Sequence, residues 1–200
     1  MSSSILTSNY PGIGFVIVLI CFFVSESIGA MISRIRRGSV RVQRVRSLSG
    51  VVSNFMVVLA WMAALVFSLI FGKIGIAFLP EWVYYVGLAV MVAGIAFRQW
   101  SIFVLGRYFS SVIGVQKEQK VVDSGPYHWI RHPSYTGALI FYAGMGLAVQ
   151  SWAAVLVDVA IFGLVYGYRI FIEEKVLISE LGNSYAEYMK RTKRLIPKIV

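Results

Sequence analysis

The stretch SYTGALIFYAGMGLAVQSWAAVLVDVAIFGLVYGYRIF, residues 134–171, decides the fold of this chain. Its 38 positions are mostly apolar, and the main interruptions are Gln150, Ser151 and Asp158. As one helix it would be ~57 Å long at ~1.5 Å per residue, whereas the hydrocarbon core of a bilayer is ~30 Å thick. We therefore predict two membrane-spanning helices, the fourth and fifth of the chain, joined in a tight hairpin whose tip is at residues 150–152.

Three further apolar runs precede this stretch, at residues 11–32, 50–72 and 81–103. Each is close to the roughly 20 residues that one helical crossing needs. The whole chain is 58% hydrophobic and only 14% charged, with a mean hydropathy of +0.74, whereas soluble domains carry about 25% charged residues. The composition therefore predicts an all-α, polytopic integral membrane protein with about five transmembrane helices.

The basic residues indicate the orientation of these helices. Arg34, Arg36, Arg37, Arg41, Arg44 and Arg46 follow the first apolar run. The positive-inside rule places this loop in the cytoplasm, so the N-terminus lies outside and, after five crossings, the C-terminus lies in the cytoplasm. The first run has no basic segment before it and no cleavage pattern after it, so we interpret it as a retained helix.

The arginine cluster and the net charge of +10 allow other interpretations. The cluster could bind anionic lipid headgroups, but we favour its role as a topology determinant. Nucleic-acid binding is not expected, because the basic residues are distributed as membrane proteins distribute them. The predicted location of this multi-pass membrane protein is the cell membrane in a bacterium or archaeon, or the endoplasmic reticulum in a eukaryote.

The first segment that could carry chemistry is the polar connector of residues 119–137, which joins the third and fourth helices. Pro133 suits the first turn of a helix, so unpaired N–H groups should begin beside His132 and Ser134 and could bind an anionic or electron-rich ligand group. A metal site is not predicted. His128 and His132 lack a third ligand nearby, and Cys21 is the single cysteine.

The second segment begins at Arg169. If the fifth helix continues through it, Arg169 and Glu173 lie four residues apart on one face. They are either functional or a surface ion pair whose arginine extends to the membrane interface. Glu26 and Arg98 are predicted to form a structural ion pair between the first and third helices, in preference to a proton relay.

These segments resemble a known family. Residues 125–135 (GPYHWIRHPSY), Glu173-Glu174, residues 181–188 (LGNSYAEY) and residues 191–197 (RTKRLIP) are similar to the isoprenylcysteine carboxyl methyltransferases and related phospholipid methyltransferases. The resemblance covers roughly residues 98–200. It implies one membrane domain with variable helices in residues 1–97 and a cofactor-binding, catalytic region in residues 98–200.

The resemblance also implies the cofactor and its site. The implied cofactor is S-adenosyl-L-methionine, with S-adenosyl-L-homocysteine as its product, and it is expected to be held near the cytoplasmic boundary. The implied catalytic residues are Arg169, on the substrate side, and Glu173. The implied cofactor contacts are Gln119, Lys120, Val121, Val122, Tyr127, His132, Pro133, Ser134, Tyr135 and Glu173. An additional glutamine contact maps only loosely onto Gln116.

We therefore expect a methyltransferase that O-methylates the carboxylate of an isoprenylcysteine-like lipophilic acceptor entering from the bilayer. Such a nucleophile needs no general base, and no paired acid or His-Asp arrangement is evident in the sequence. Arg169 could hold the carboxylate by a forked hydrogen bond. The alternatives are a phospholipid N-methyltransferase, a small-thiol S-methyltransferase, or a membrane scaffold that binds no cofactor. The oligomeric state is not predicted.

Overall fold

The computed structural model describes residues 9–40, 42–44, 48–74 and 78–197. The described part is mainly helical and contains six α-helices. They are α1 (Asn9–Arg37), α2 (Leu48–Ile74), α3 (Trp82–Leu105), α4 (Pro133–Ala148), α5 (Trp152–Leu181) and α6 (Asn183–Arg191). Among the described residues, four segments are long and apolar enough to cross a membrane: Gly12–Arg37, Gly50–Phe71, Trp82–Tyr108 and Trp152–Leu181. The prediction of an all-α, polytopic membrane protein is confirmed.

The predicted hairpin is present. α4 ends at Ala148 and α5 begins at Trp152, so the turn lies at residues 149–151. Gln150 has a φ of 57°, which turns the chain sharply, and the side chain of Ser151 accepts a hydrogen bond from the backbone N–H of Ala154 at 3.3 Å. This contact caps the start of α5, where backbone N–H groups have no partner within the helix.

The two arms of the hairpin differ in length. α4 has 16 residues and is ~24 Å long, while α5 has 30 residues and is ~45 Å long at ~1.5 Å per residue. α4 is thus shorter than the hydrocarbon core, and α5 extends beyond it. α5 continues through Arg169 and Glu173, so the condition for placing these two residues on one face is met, whereas the count of five crossings stays a prediction.

Glycines let α3 and α4 pack closely. A Cβ atom built at Gly94 would lie 2.5 Å from the backbone N of Phe141, and one at Gly87 would lie 2.3 Å from that of Ala148. On the facing helix α4, a Cβ atom built at Gly137 or Gly144 would likewise lie within 3 Å of the backbone of α3. Small residues allow such close approach in membranes, where the hydrophobic effect does not drive helices together. This packing fixes the start of α4 against the end of α3.

Replacing Gly94 with leucine is expected to destabilise the fold by about 1–3 kcal/mol, the usual cost of overpacking. The new side chain has to displace the backbone of α4. The matched control is Gly163→Leu on α5, because a Cβ atom at Gly163 has no atom within 4 Å. Thermal unfolding in detergent should show a lower midpoint for Gly94→Leu alone, and equal midpoints for both variants would contradict the proposed packing.

Polar contacts join α1 and α2 to the other helices. Arg98 donates from Nε and Nη2 to the two carboxylate oxygens of Glu26, both at 2.6 Å. The predicted pairing of Glu26 with Arg98 is therefore confirmed, and it joins α1 to α3. In the other half of the bundle, Ser68 of α2 donates to Asp158 Oδ2 of α5 at 2.7 Å. All four side chains lie within predicted spans, where an unpaired polar group is costly.

Two short strand pairings lie at one end of the bundle. β1 (Val42–Arg44) pairs antiparallel with β2 (Gly114–Gln116), a ribbon that the sequence analysis did not predict. At the same end, Ile130 and Lys193 form a parallel bridge, and the backbone N–H of His132 donates to the carbonyl of Arg194 at 3.0 Å. The chain's last described segment is therefore joined to the start of α4.

Candidate active site

A pocket of about 500 Å³ opens at this end of the bundle. Small-molecule sites usually have volumes of ~300–1,000 Å³. It lies where α1, α3 and α5 end and where α2 and α4 begin, beside the arginines in the last turn of α1. The predicted site residues that line it are Gln119, Lys120, Val121, Val122, Tyr127, His132, Ser134, Tyr135, Arg169 and Glu173. Pro133 does not line the pocket, because it is fully buried in the first turn of α4.

Arg169 is the central cation of the pocket, with only 6% of the residue exposed. Its Nε donates to the hydroxyl of Tyr135 at 2.8 Å, Nη1 to Asn54 Oδ1 at 2.6 Å, and Nη2 to the carbonyl of Ser111 at 2.8 Å. All three acceptors are neutral. Within the described part of the chain, no carboxylate forms an ion pair with Arg169.

Tyr135 connects Arg169 to Glu173. The Tyr135 hydroxyl accepts from Arg169 and donates to Glu173 Oε2 at 2.7 Å. The ring also stacks between His132, with centroids 5.6 Å apart, and Tyr166, with centroids 4.9 Å apart. This chain of contacts holds a cation and a carboxylate in the same pocket without letting them pair directly. The alternative of an exposed ion pair is therefore wrong, because Arg169 is buried and bonded to other groups.

Glu174, the neighbour of Glu173, has a structural role. Its Oε1 accepts from Arg131 Nε at 2.8 Å and lies 3.4 Å from His132 Nε2, while Oε2 accepts from Arg194 Nε at 3.0 Å. Arg131 also donates to the carbonyls of Met189 and Thr192. One buried carboxylate thus joins α5, the start of α4 and the C-terminal segment, which fixes the position of His132.

The connector before α4 forms the floor of the pocket. The backbone N–H of Gln116 donates to Gln119 Oε1 at 2.9 Å, and Gln116 Nε2 donates to the carbonyl of Arg107 at 2.6 Å. Gln116 is buried and does not line the pocket, so its contacts hold the connector in place. The loosely mapped ligand contact at Gln116 finds no support here, because the side chain is already bonded to the backbone.

Tyr127 and Tyr188 line the end of the pocket that is formed by the connector and α6. The Tyr188 hydroxyl donates to the backbone carbonyl of Tyr127 at 2.6 Å. Burial raises the pKa of both phenols above the usual value. Both hydroxyls therefore stay protonated at neutral pH and supply donors, not negative charge.

Three contributors to the site were not predicted as site residues. Asn54 and the backbone carbonyl of Ser111 hold Arg169, and Arg98 donates from Nη1 to the carbonyl of Ser134 at 2.9 Å. Asn54 is an isolated amide in a long apolar run, and ionisable or polar groups in such runs are unusual enough to mark a site. The carbonyl of Ser111 has no sequence signal, since every residue carries one.

The lining fits an extended ligand that is partly polar and partly charged. The Tyr135 hydroxyl contacts Oε2 of Glu173, and Val121, Val122 and Leu177 add apolar surface. The N–H groups that were predicted to be unpaired at the start of α4 are mostly paired, because those of His132, Tyr135 and Thr136 donate to backbone carbonyls. A mixture of apolar surface and a few polar groups is typical of small-molecule sites. Fold and site together define a polytopic α-helical membrane protein with a charged pocket at one end of its bundle.

Comparison with known proteins shows which proteins this chain resembles. A model of the isoprenylcysteine carboxyl methyltransferase (ICMT) family matches residues 86–179. Protein-S-isoprenylcysteine O-methyltransferase B of Arabidopsis thaliana is 30% identical over 118 residues, which are 58% of this chain and 60% of that protein. The resemblance to the ICMT family that the sequence motifs indicated is therefore confirmed.

Two other similarities extend this comparison. The cobalt-zinc-cadmium resistance protein CzcN of Cupriavidus metallidurans is 33% identical over 100 residues, which are 50% of this chain and 46% of that protein. The solved structure of the eukaryotic intramembrane Ras methyltransferase ICMT has a TM-score of 0.69 at 23% identity, and the match covers 98% of this chain and 70% of that one. This structural match establishes the shared fold. The chain spans about half the length of the curated relatives it matches.

Proposed function

We propose that this chain is an S-adenosyl-L-methionine-dependent methyltransferase that O-methylates the carboxylate of an isoprenylcysteine-like lipophilic acceptor. One observation carries the proposal: the buried guanidinium of Arg169 faces a ligand-sized pocket and contacts neutral acceptors instead of a carboxylate. A buried cation without a charged partner is costly, and an anionic substrate removes that cost on binding. An ammonium acceptor would be repelled instead.

Residues of the connector, α4 and α5 are proposed to hold the cofactor. The carboxylate of Glu173 accepts hydrogen bonds from the ammonium group of the cofactor's amino acid end. The Tyr135 hydroxyl donates to Glu173 and holds this carboxylate in place. Gln119, Lys120, Val121, Val122, Tyr127, His132, Pro133 and Ser134 form the rest of this proposed set, in which Pro133 acts by shaping the first turn of α4. When bound, the cofactor supplies a methyl group on a positively charged sulfur.

Arg169 is proposed to align the acceptor. A guanidinium has five N–H donors, of which three are used, so two remain for a forked contact with a carboxylate. Arg169 is buried, and surroundings of low polarity favour a reaction in which opposite charges neutralise each other. Holding the carboxylate, the methyl group and the sulfur in line can supply a large part of the rate acceleration. Effective molarities of up to about 10⁵–10⁸ M describe this gain.

The position of the pocket supports the proposed orientation and substrate route. It lies at the same end as Arg34, Arg36 and Arg37, which the positive-inside rule assigns to the cytoplasm. Val57 and Val58 of α2 line one side of it. A lipophilic acceptor can therefore keep its apolar chain in the bilayer while its carboxylate reaches Arg169.

The proposal is tested with purified protein and methyl-labelled cofactor. We expect label transfer to an S-prenylated cysteine with a free carboxylate and little transfer to a phospholipid amine or a small thiol. Titration calorimetry with S-adenosyl-L-homocysteine should show binding independently of any acceptor. If the folded protein binds neither cofactor nor product, the scaffold alternative is favoured and the enzyme proposal fails.

A further inference from the structure

We propose that Asn54 of α2 makes the site prefer an anionic acceptor over a neutral one. Its side chain positions Arg169 without neutralising the positive charge. The inference rests on the proposed function and deepens it. Asn54 lies outside residues 86–179, the region that matches the family model. It is 115 residues from Arg169 in the sequence, and its Oδ1 lies 2.6 Å from Arg169 Nη1.

The orientation of the Asn54 amide follows from its partner. A guanidinium can only donate hydrogen bonds, so the amide oxygen faces Arg169 and the amide nitrogen points away from it. An asparagine at this position therefore fixes Nη1 in the same way as an aspartate, but it adds no negative charge. The side chain is thus a positioning group whose neutrality matters.

The other groups that contact Arg169 do not neutralise its positive charge. Tyr135 and the carbonyl of Ser111 are neutral acceptors, and Tyr166, which stacks on Tyr135, is a phenol. Glu173 is linked to this network through the Tyr135 hydroxyl, which donates to its carboxylate. In the proposed complex Glu173 is bonded to the cofactor's ammonium group, so the acceptor meets an uncompensated cation.

An acidic residue at position 54 would change this balance. It would form a buried, charge-assisted pair with Arg169, and such pairs are stronger than neutral hydrogen bonds. The guanidinium would then attract a carboxylate acceptor much less, while its position would be unchanged. The preference for anionic over neutral acceptors should therefore fall without loss of the cofactor site.

The test measures acceptor binding to purified protein saturated with S-adenosyl-L-homocysteine. The two probes are N-acetyl-S-farnesylcysteine, which has a carboxylate, and its primary carboxamide, which is neutral. We expect the original chain to bind the carboxylate at least about tenfold more tightly than the carboxamide. In Asn54→Asp this ratio should fall to about one, mainly because carboxylate binding weakens. Affinity for S-adenosyl-L-homocysteine should stay within about twofold.

Two control variants separate charge from other effects. Asn54→Ala removes the hydrogen bond without adding charge, so it should keep a preference for the carboxylate even if both affinities fall. Asn183→Asp makes the same chemical change on the exposed start of α6 and should leave the ratio unchanged.

The outcomes distinguish this inference from the proposed function. An unchanged ratio in folded Asn54→Asp, or a collapse of the ratio in Asn54→Ala as large as in Asn54→Asp, overturns the role of Asn54 alone. Equal affinities for the two probes in the original chain also overturn it, even where S-adenosyl-L-homocysteine binds. If the original chain does not bind S-adenosyl-L-homocysteine, the proposed function fails, and the inference fails with it.

Discussion

Replacing Arg169 with lysine is expected to lower kcat/KM for a carboxylate acceptor by about 10²- to 10³-fold, the loss that follows removal of one preorganised donor in other enzymes. Lysine keeps the positive charge but cannot reproduce the planar fork. It would also lose the simultaneous contacts to Asn54, Ser111 and Tyr135. The measurement is initial-rate kinetics with labelled cofactor on purified protein.

The matched control is Arg34→Lys, because Arg34 is exposed at the end of α1. This variant should retain full activity. Both variants should elute as folded protein in detergent, and Arg169→Lys should keep its affinity for S-adenosyl-L-homocysteine within a few fold. Full methyl transfer by purified Arg169→Lys would contradict the role assigned to the guanidinium fork.

Replacing Glu173 with glutamine is expected to weaken the affinity for S-adenosyl-L-homocysteine by about 10- to 100-fold and to abolish most methyl transfer. Glutamine has nearly the same shape but no charge, so the proposed contact with the ammonium group loses its charge-assisted strength, which is worth about 1.5–3 kcal/mol. The hydrogen bond from Tyr135 can still form, because the glutamine side chain offers an amide oxygen. Titration calorimetry measures the effect.

Glu180→Gln is the control for this variant. Glu180 lies on the same helix and is exposed, so its replacement should change neither affinity nor rate. Unchanged binding and unchanged transfer in Glu173→Gln would remove Glu173 from the site. Loss of transfer with unchanged binding would instead assign Glu173 to the positioning of Arg169, through Tyr135.

The helices could be predicted closely because hydropathy and length decide them. The predicted spans of residues 11–32, 50–72 and 81–103 lie within or nearly within α1, α2 and α3, and the tip of the hairpin was predicted to within one residue. Each long apolar run must satisfy its own backbone hydrogen bonds in a bilayer, so it forms a helix whatever its neighbours are. The short ribbon of β1 and β2 was missed, since it depends on pairing between distant segments outside the membrane.

The candidate site could be predicted in part. The motif of residues 125–135 and the pair Arg169 and Glu173 were recognised, and all but Pro133 of the predicted site residues line one pocket. Their roles stay predictions. The different roles of Glu173 and Glu174 were not evident from two adjacent glutamates in the sequence. Neighbouring side chains on a helix point about 100° apart and therefore contact different partners.

The sequence by itself determined that this chain enters a membrane, which segments form its long helices, and which residues resemble those of a methyl-transferring family. Only the tertiary structure decided that Arg169 lies between Tyr135, Ser111 and Asn54 without a charged partner. Helix formation depends on local composition, whereas the charge left on a buried guanidinium depends on which distant side chains the packing brings within hydrogen-bond distance. That is why an asparagine 115 residues away could not be linked to Arg169 from sequence alone.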